Sequence, residues 1–125
     1  MDELLNRLGE ARGWEVDGRF VTVNVVGGRT QTGRCEEVDE GDGLMVRVST
    51  EVGDAQQLDA DRLRAALGLN WRLRHGSLAI HSQMLKMTHF LTAKRLPDEL
   101  LVEVVEYLAL TADTYEKHLF GVDVA

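Results

Sequence analysis

Cys35 carries the only thiol in the chain. Glu36 and Glu37 follow it directly, and their negative charges disfavour the thiolate that a nucleophile needs. A single cysteine also cannot form a disulfide within the chain. The sequence therefore predicts an unreactive, structural thiol in a reducing, cytoplasmic setting.

Histidines could bind a metal ion if their side chains converged. Three of the four histidines lie in or beside a predicted β-hairpin whose turn is Ser82-Gln83. That turn places His81 and His89 at opposite ends of the hairpin. His75 can approach His89, but no carboxylate or thiol is close to this pair in sequence. We therefore expect no metal site and no cofactor.

Motifs for phosphate binding and calcium binding are weak. Gly27-Gly28 precedes a predicted strand, whereas a phosphate-binding glycine loop opens a helix so that its N–H groups converge. Asp39, Glu40 and Asp42 lack the spacing of a calcium-binding loop. No local pattern suggests a serine, histidine and acid acting together. The sequence therefore predicts a protein that is not an enzyme.

The composition is typical of a soluble folded protein, with 44% hydrophobic and 28% charged residues. No apolar run approaches the roughly 20 residues that span a bilayer, and the first residues lack the basic segment of a secretion signal. A chain of 125 residues has room for one core. We expect residues 1–125 to form one cytoplasmic domain without a membrane segment.

The formal net charge is −7, which disfavours binding to nucleic acid. The charge is unevenly distributed, because the stretch Arg62–Arg95 contains bases and no acid, while both flanking segments are acidic. Such a stretch can face acidic neighbours within the fold or across a dimer. It can also form a basic patch for an acidic partner or for nucleic acid. The sequence leaves these alternatives open.

The longest predicted element is an amphipathic helix that follows Leu96-Pro97 and ends at Gly121. Pro97 suits the first turn, and Gly121 can end the helix in a left-handed conformation. Apolar side chains recur at steps of three and four on one stripe, namely Leu101, Val104, Val105, Leu108, Ala112, Tyr115 and Leu119. A helix of this kind needs an apolar sheet face to cover its stripe.

Shorter elements supply that sheet. The patterns predict a first helix at residues 2–12, three strands at 20–26, 30–38 and 44–48, and a hairpin at 77–81 and 84–91. A second helix starts after Asp59 and ends either at Gly68 or one turn later. The order is therefore helix, three strands, helix, two strands, helix. It predicts an α+β fold, a two-layer sandwich with a mainly antiparallel sheet and the helices on one face.

The uncovered face of such a sheet should be polar. Alternation along the strands instead places five large apolar side chains there, namely Phe20, Val26, Met45, Met84 and Phe90. An apolar surface of this kind indicates contact with another molecule. It could be the seam of a homodimer or the binding surface for a protein client, unless some of these side chains fold back into the core. Trp71 is a further candidate for the dimer seam.

The order of elements and residues 46–119 resemble the type III secretion chaperone-like fold and the YbjN-like bacterial family. The matching stretches are Val48–Gly53, Leu69-Asn70, Gly76–Ile80, Leu85–Leu91 and the closing helix. The resemblance implies a small, acidic, cytoplasmic dimer. Secretion chaperones of this shape hold an extended segment of another protein on apolar surfaces, whereas YbjN-like proteins are linked to stress tolerance and regulation.

We therefore expect a non-enzymatic, homodimeric, chaperone-like module that holds a polypeptide partner. The alternative is a YbjN-like regulatory or stress-tolerance protein that uses the Arg62–Arg95 stretch for an acidic partner or nucleic acid. The residues expected to contact a partner or a second subunit are Phe20, Val26, Met45, Trp71, Met84 and Phe90.

Overall fold

The computed structural model describes residues 1–121. Within that range the chain forms three α-helices and six β-strands. The helices are α1 (Asp2–Arg12), α2 (Ala60–Leu69) and α3 (Asp98–Phe120), and the strands are β1 (Glu15–Asp17), β2 (Phe20–Asn24), β3 (Thr30–Asp39), β4 (Leu44–Asp54), β5 (Ser77–His81) and β6 (Met84–Thr92). The predicted α+β architecture is confirmed.

The six strands form one antiparallel sheet in the order β1-β2-β3-β4-β6-β5. Four strands precede α2, not the three that the sequence predicted. The additional strand, β1, has only three residues, which is too short for an alternating pattern to be recognised. Gly18, with a φ of 61°, reverses the chain so that β1 pairs with β2.

Helix α3 lies across the sheet and contacts β3, β4 and β6. It begins after Pro97 and ends at Gly121, which has the left-handed φ of 64°. The buried positions follow the predicted stripe, with Tyr115 only half-buried. No helix within residues 1–121 is both long and apolar enough to cross a membrane.

Helix α1 packs beside α3 through apolar and charged contacts. Leu5 is fully buried in the core, and Arg12 forms a two-pronged ion pair with Glu106 of α3, with N–O distances of 2.7 and 3.0 Å. Trp14 follows the helix, is only 7% exposed, and donates its indole N–H to the same Glu106 carboxylate at 3.0 Å. These contacts close one end of the sandwich.

Helix α2 lies on the same face of the sheet as α3, beside the edge strand β5. Asp59 caps its start, since the Asp59 carboxylate accepts a 2.8 Å hydrogen bond from the backbone N–H of Arg62. A 3-10 turn, Asn70–Arg72, follows the helix directly. The Asn70 amide both accepts from the N–H of Leu78 and donates to its carbonyl, so the end of α2 is fixed to β5.

The β5–β6 hairpin has the predicted turn. Ser82 and Gln83 have φ values of 51° and 68°, as a two-residue turn of type I′ requires. His81 therefore pairs with Met84, and Leu78 pairs with Met87 on the side that faces the helices. The register that the sequence predicted for this hairpin is confirmed.

Candidate interaction surfaces

The helices pack on the sheet face that carries Val21, Cys35 and Val48, and we call the opposite face the outer face. Strand pairing identifies its central rows. One row runs across the sheet through Phe20, Arg34, Ser49, Thr88 and Ser77, and the next contains Glu36, Arg47 and Phe90. The outer face therefore combines aromatic, charged and hydroxyl side chains.

Two phenylalanines on the outer face are each contacted by an arginine of the neighbouring strand. The Cζ atom of Arg34 lies 5.7 Å from the ring centroid of Phe20, and that of Arg47 lies 5.0 Å from the centroid of Phe90. Such contacts at exposed sites contribute about 0.5–1 kcal/mol. The rings remain 51% and 40% exposed, so both can still contact a partner.

Glu36 lies between these two arginines. Its carboxylate oxygens are 3.2 Å from Nη2 of Arg34 and 3.3 Å from Nη1 of Arg47. The Glu36 side chain is only 16% exposed, whereas the arginines are 47% and 39% exposed. The positive charges therefore face the solvent more than the negative charge does.

A shallow depression of about 340 Å³ lies on the outer face. Three cationic side chains and one carboxylate contribute to its wall, which consists of Arg34, Glu36, Arg47, Ser49, Ala79, His81, Lys86, Thr88 and Phe90. The depression therefore has an excess of positive charge in a chain whose net charge is −7.

The structure places four of the predicted contact residues on the outer face. Phe20 and Phe90 are exposed there, while Met45 and Met84 share that face but are half-buried. The predicted position of Val26 on the sheet face is wrong, because β2 ends at Asn24 and Val26 begins a 3-10 turn. Its side chain is 71% exposed, but it does not belong to the sheet face.

Trp71 belongs to a separate apolar surface. It lies in the 3-10 turn after α2 and is 94% exposed. Leu67, four residues earlier on α2, is 61% exposed, and Ile80 on the edge strand β5 is 54% exposed. Helix α2 contacts both the 3-10 turn and β5, and we call these three residues the α2–β5 patch. Sequence reasoning identified only Trp71; the i,i+4 spacing of Leu67 and Trp71 was a signal for the pair.

Two histidines meet on the helix-facing side of the sheet. The rings of His75 and His89 are 5.8 Å apart, and Nε2 of His75 lies 2.5 Å from a carboxylate oxygen of Glu103. Burial, together with the charge of His75, lowers the pKa of His89. His81 lies outside this pair, at the hairpin turn. No three or more His, Cys, Asp or Glu side chains among residues 1–121 converge to hold a metal ion.

Cys35 points into the core from β3 and is 1% exposed. Burial raises the pKa of its thiol to about 12, since a thiolate is poorly solvated there. The carboxylate of Glu36 lies on the outer face, on the opposite side of the strand. The sequence predicted a thiol of low acidity, but burial and not the neighbouring acids is the cause.

The basic stretch Arg62–Arg95 is distributed over several parts of the surface. Arg62 donates to the carbonyl oxygen of Leu119 at the end of α3. Arg74 stacks over the ring of Tyr107 with a separation of 5.5 Å, and Lys86 lies on the outer face. The stretch therefore supports the folded structure at two places and contributes one lysine to the depression.

The arrangement of helices and sheet is that of the secretion chaperone-like α+β fold. The chain matches no protein-family model, and no curated protein matches its sequence. A chain in the crystal structure of the ExsC–ExsE complex is similar over 94% of this chain and 92% of its own length, with a TM-score of 0.64 and 13% sequence identity. At that identity the likeness concerns the fold.

Proposed function

We propose that this protein is a cytoplasmic, homodimeric, chaperone-like module that holds a polypeptide partner on its outer sheet face and catalyses no reaction. The observation that carries the proposal is the exposure of Phe20 and Phe90 on a sheet face that no described helix covers. Burying one such side chain contributes about 1.5–3 kcal/mol. Two rings together can therefore anchor a segment of another protein.

The fold supports the same role. The similar chain comes from a complex of two proteins, ExsC and ExsE. Chaperone-like binding also agrees with the character of the outer face, where an arginine lies over each ring and the flexible side chains of Met45 and Met84 share the face. Such side chains can adapt to different partner sequences.

The α2–β5 patch is the proposed dimer seam. In a symmetric dimer each copy contributes the same surface, so Leu67, Trp71 and Ile80 would be present twice. Aromatic residues of this kind are enriched at the centres of protein interfaces. Because the patch and the outer face share no residue, one surface can serve the second subunit and the other a client.

The test is affinity purification of the tagged protein from its own cells, followed by mass spectrometry of the proteins that accompany it. We expect the Met45→Asp and Phe90→Asp variants to lose a partner that the unchanged protein retains. Leu110→Asp is the matched control, because Leu110 is an exposed apolar residue on α3 with 42% exposure. Circular dichroism should be the same for all four proteins.

The partner is then purified, and its affinity for each variant is measured by calorimetry. Partner binding that survives both outer-face substitutions would contradict the proposal. Unfolding of the Met45→Asp and Phe90→Asp variants would show instead that these side chains belong to the core.

A further inference from the structure

The charged groups of the outer face indicate what kind of polypeptide fits it. An arginine side chain has five N–H donors. Glu36 occupies one nitrogen of Arg34 and one of Arg47, so both guanidinium groups keep donors that face the solvent. Lys86 stands at the other side of the depression, and its ammonium is 3.4 Å from a ring nitrogen of His81. The depression can therefore accept several carboxylates.

Among the described residues that line the depression, Glu36 is the only acid, and it lies between two arginines. The other acids of the outer face lie outside the depression: Glu51 is opposite Lys86, and Glu15 and Asp17 are on β1, where Asp17 pairs with Phe20. Charge complementarity across an interface mainly selects the partner and suppresses wrong ones. The depression therefore favours an acidic segment, although the chain itself is acidic.

The separation of the Phe20 and Phe90 rings determines the spacing of apolar side chains in a segment that contacts both. Phe20 and Phe90 are three strands apart in the sheet, and their rows are offset by two residues. With strands about 4.8 Å apart and about 3.3 Å per residue along a strand, the two positions are roughly 16 Å apart. Side chains at i and i+4 of an extended segment point to the same side and are about 13 Å apart at the backbone, so their own length lets them reach both rings.

We infer that the partner segment of the outer face is an extended acidic peptide with two apolar side chains about four residues apart. Its apolar side chains contact Phe20 and Phe90, and its carboxylates pair with Arg34, Arg47 and Lys86. This inference rests on the proposed function, because it specifies the segment that the proposed protein-binding face holds.

The overall charge of the protein makes the inference easy to test. A chain of net charge −7 attracts cations at long range, so non-specific electrostatics would favour a basic peptide. At about 0.15 M salt the Debye length is about 8 Å, and direct contacts then dominate over distant charges. A preference for an acidic peptide under these conditions must come from local cations.

The experiment is a fluorescence anisotropy titration with the full chain. The probe is a fluorescein-labelled peptide of nine residues with Phe at its third and seventh positions, Gly at both ends and Glu elsewhere. A second probe replaces every Glu by Lys, and a third is a single-stranded DNA of twelve nucleotides. We expect the Glu peptide to bind at least tenfold more tightly than either other probe.

Lys86→Glu is the informative variant, because Lys86 has no ion-pair partner within 4.0 Å among the described residues and its reversal leaves the Arg–Glu36 contacts intact. We expect it to weaken binding of the Glu peptide at least fivefold. Arg64→Glu is the matched control, since Arg64 lies on α2 with an 81% exposed side chain and the net charge changes equally. The control should bind the Glu peptide like the unchanged protein.

Two results would overturn the inference: equal or tighter binding of the Lys peptide or the DNA, and an unchanged affinity in Lys86→Glu. The Phe90→Asp variant distinguishes failure of the acidic preference from failure of the proposed protein-binding face. If both peptides bind equally and Phe90→Asp abolishes both, the protein-binding face stands and its preference for acid is wrong. If neither peptide binds, and the natural partner binds Phe90→Asp as tightly as the unchanged protein, the proposed function is wrong as well.

Discussion

Replacement of Trp71 by Ala tests the proposed dimer seam most directly. Trp71 is 94% exposed, and no described residue donates to or accepts from its side chain. Removing it should therefore leave the free energy of unfolding of one subunit nearly unchanged, as is usual for surface substitutions. Any loss of dimer can then be attributed to the interface.

The magnitude follows from the size of the side chain. A tryptophan buries about 150–250 Å², which at about 25 cal/mol per Å² corresponds to about 4–6 kcal/mol if the side chain is wholly covered. Half of this coverage gives about 2–3 kcal/mol for each copy, and a symmetric dimer contains two copies. The Trp71→Ala substitution should therefore raise the dissociation constant of the dimer about 1,000-fold or more.

The assay is size-exclusion chromatography with light scattering over a range of concentrations. We expect the unchanged protein to have a mass of about 28 kDa, twice the 14.0 kDa of one chain, and the Trp71→Ala variant to have the mass of one chain at the same concentration. Leu110→Ala is the control and should remain a dimer. A monomeric unchanged protein, or a Trp71→Ala dimer of unaltered affinity, would refute the assignment of the seam.

Two further predictions concern titratable groups on the helix-facing side of the sheet. Burial raises the pKa of Cys35 from 9.0 to about 12, so at pH 8 Ellman's reagent should react about 1,000-fold more slowly with the folded protein than with the protein in urea; rates within tenfold of each other would contradict this. Burial lowers the pKa of His89 below 6.5, so the unfolded chain takes up its proton more readily. Stability from neutral His89 is thus complete above about pH 6.5 and is lost as the pH falls through the lower folded pKa. The free energy of unfolding is measured by urea titration at pH 7.5 and at pH 5.5. Between these two pH values it should fall less in His89→Gln than in the unchanged protein. Equal falls in both proteins would show that His89 does not cause the pH dependence.

Local patterns were sufficient for the elements whose determinants are close in sequence. The apolar stripe of α3 needs only steps of three and four along one helix, and Gly121 provides the stop. The β5–β6 register follows from the two-residue turn Ser82-Gln83, because that turn leaves one pairing possible. In both cases a few neighbouring residues determine the geometry.

The chemistry of the outer face depends on pairings between distant strands, which sequence alone did not provide. Arg47 reaches Phe90 only because β4 pairs with β6, and α2 and β5 lie between those strands in the chain. Arg34 likewise contacts Phe20 through the β2–β3 register. The sequence therefore predicted the rings on this face but not the cations that contact them.

The arginines beside the two rings make the outer face more compatible with water than an entirely apolar face would be. An outer face with only apolar side chains would favour aggregation, whereas rings contacted by arginines present charged groups to water and keep part of their aromatic surface accessible. The largest exposure among the large apolar side chains of residues 1–121 belongs instead to Trp71, at 94%. The proposed contact with a second copy would remove this side chain from water. The proposed dimer contact through the α2–β5 patch uses no residue of the outer face, so the mixed aromatic and cationic face would stay open to a partner.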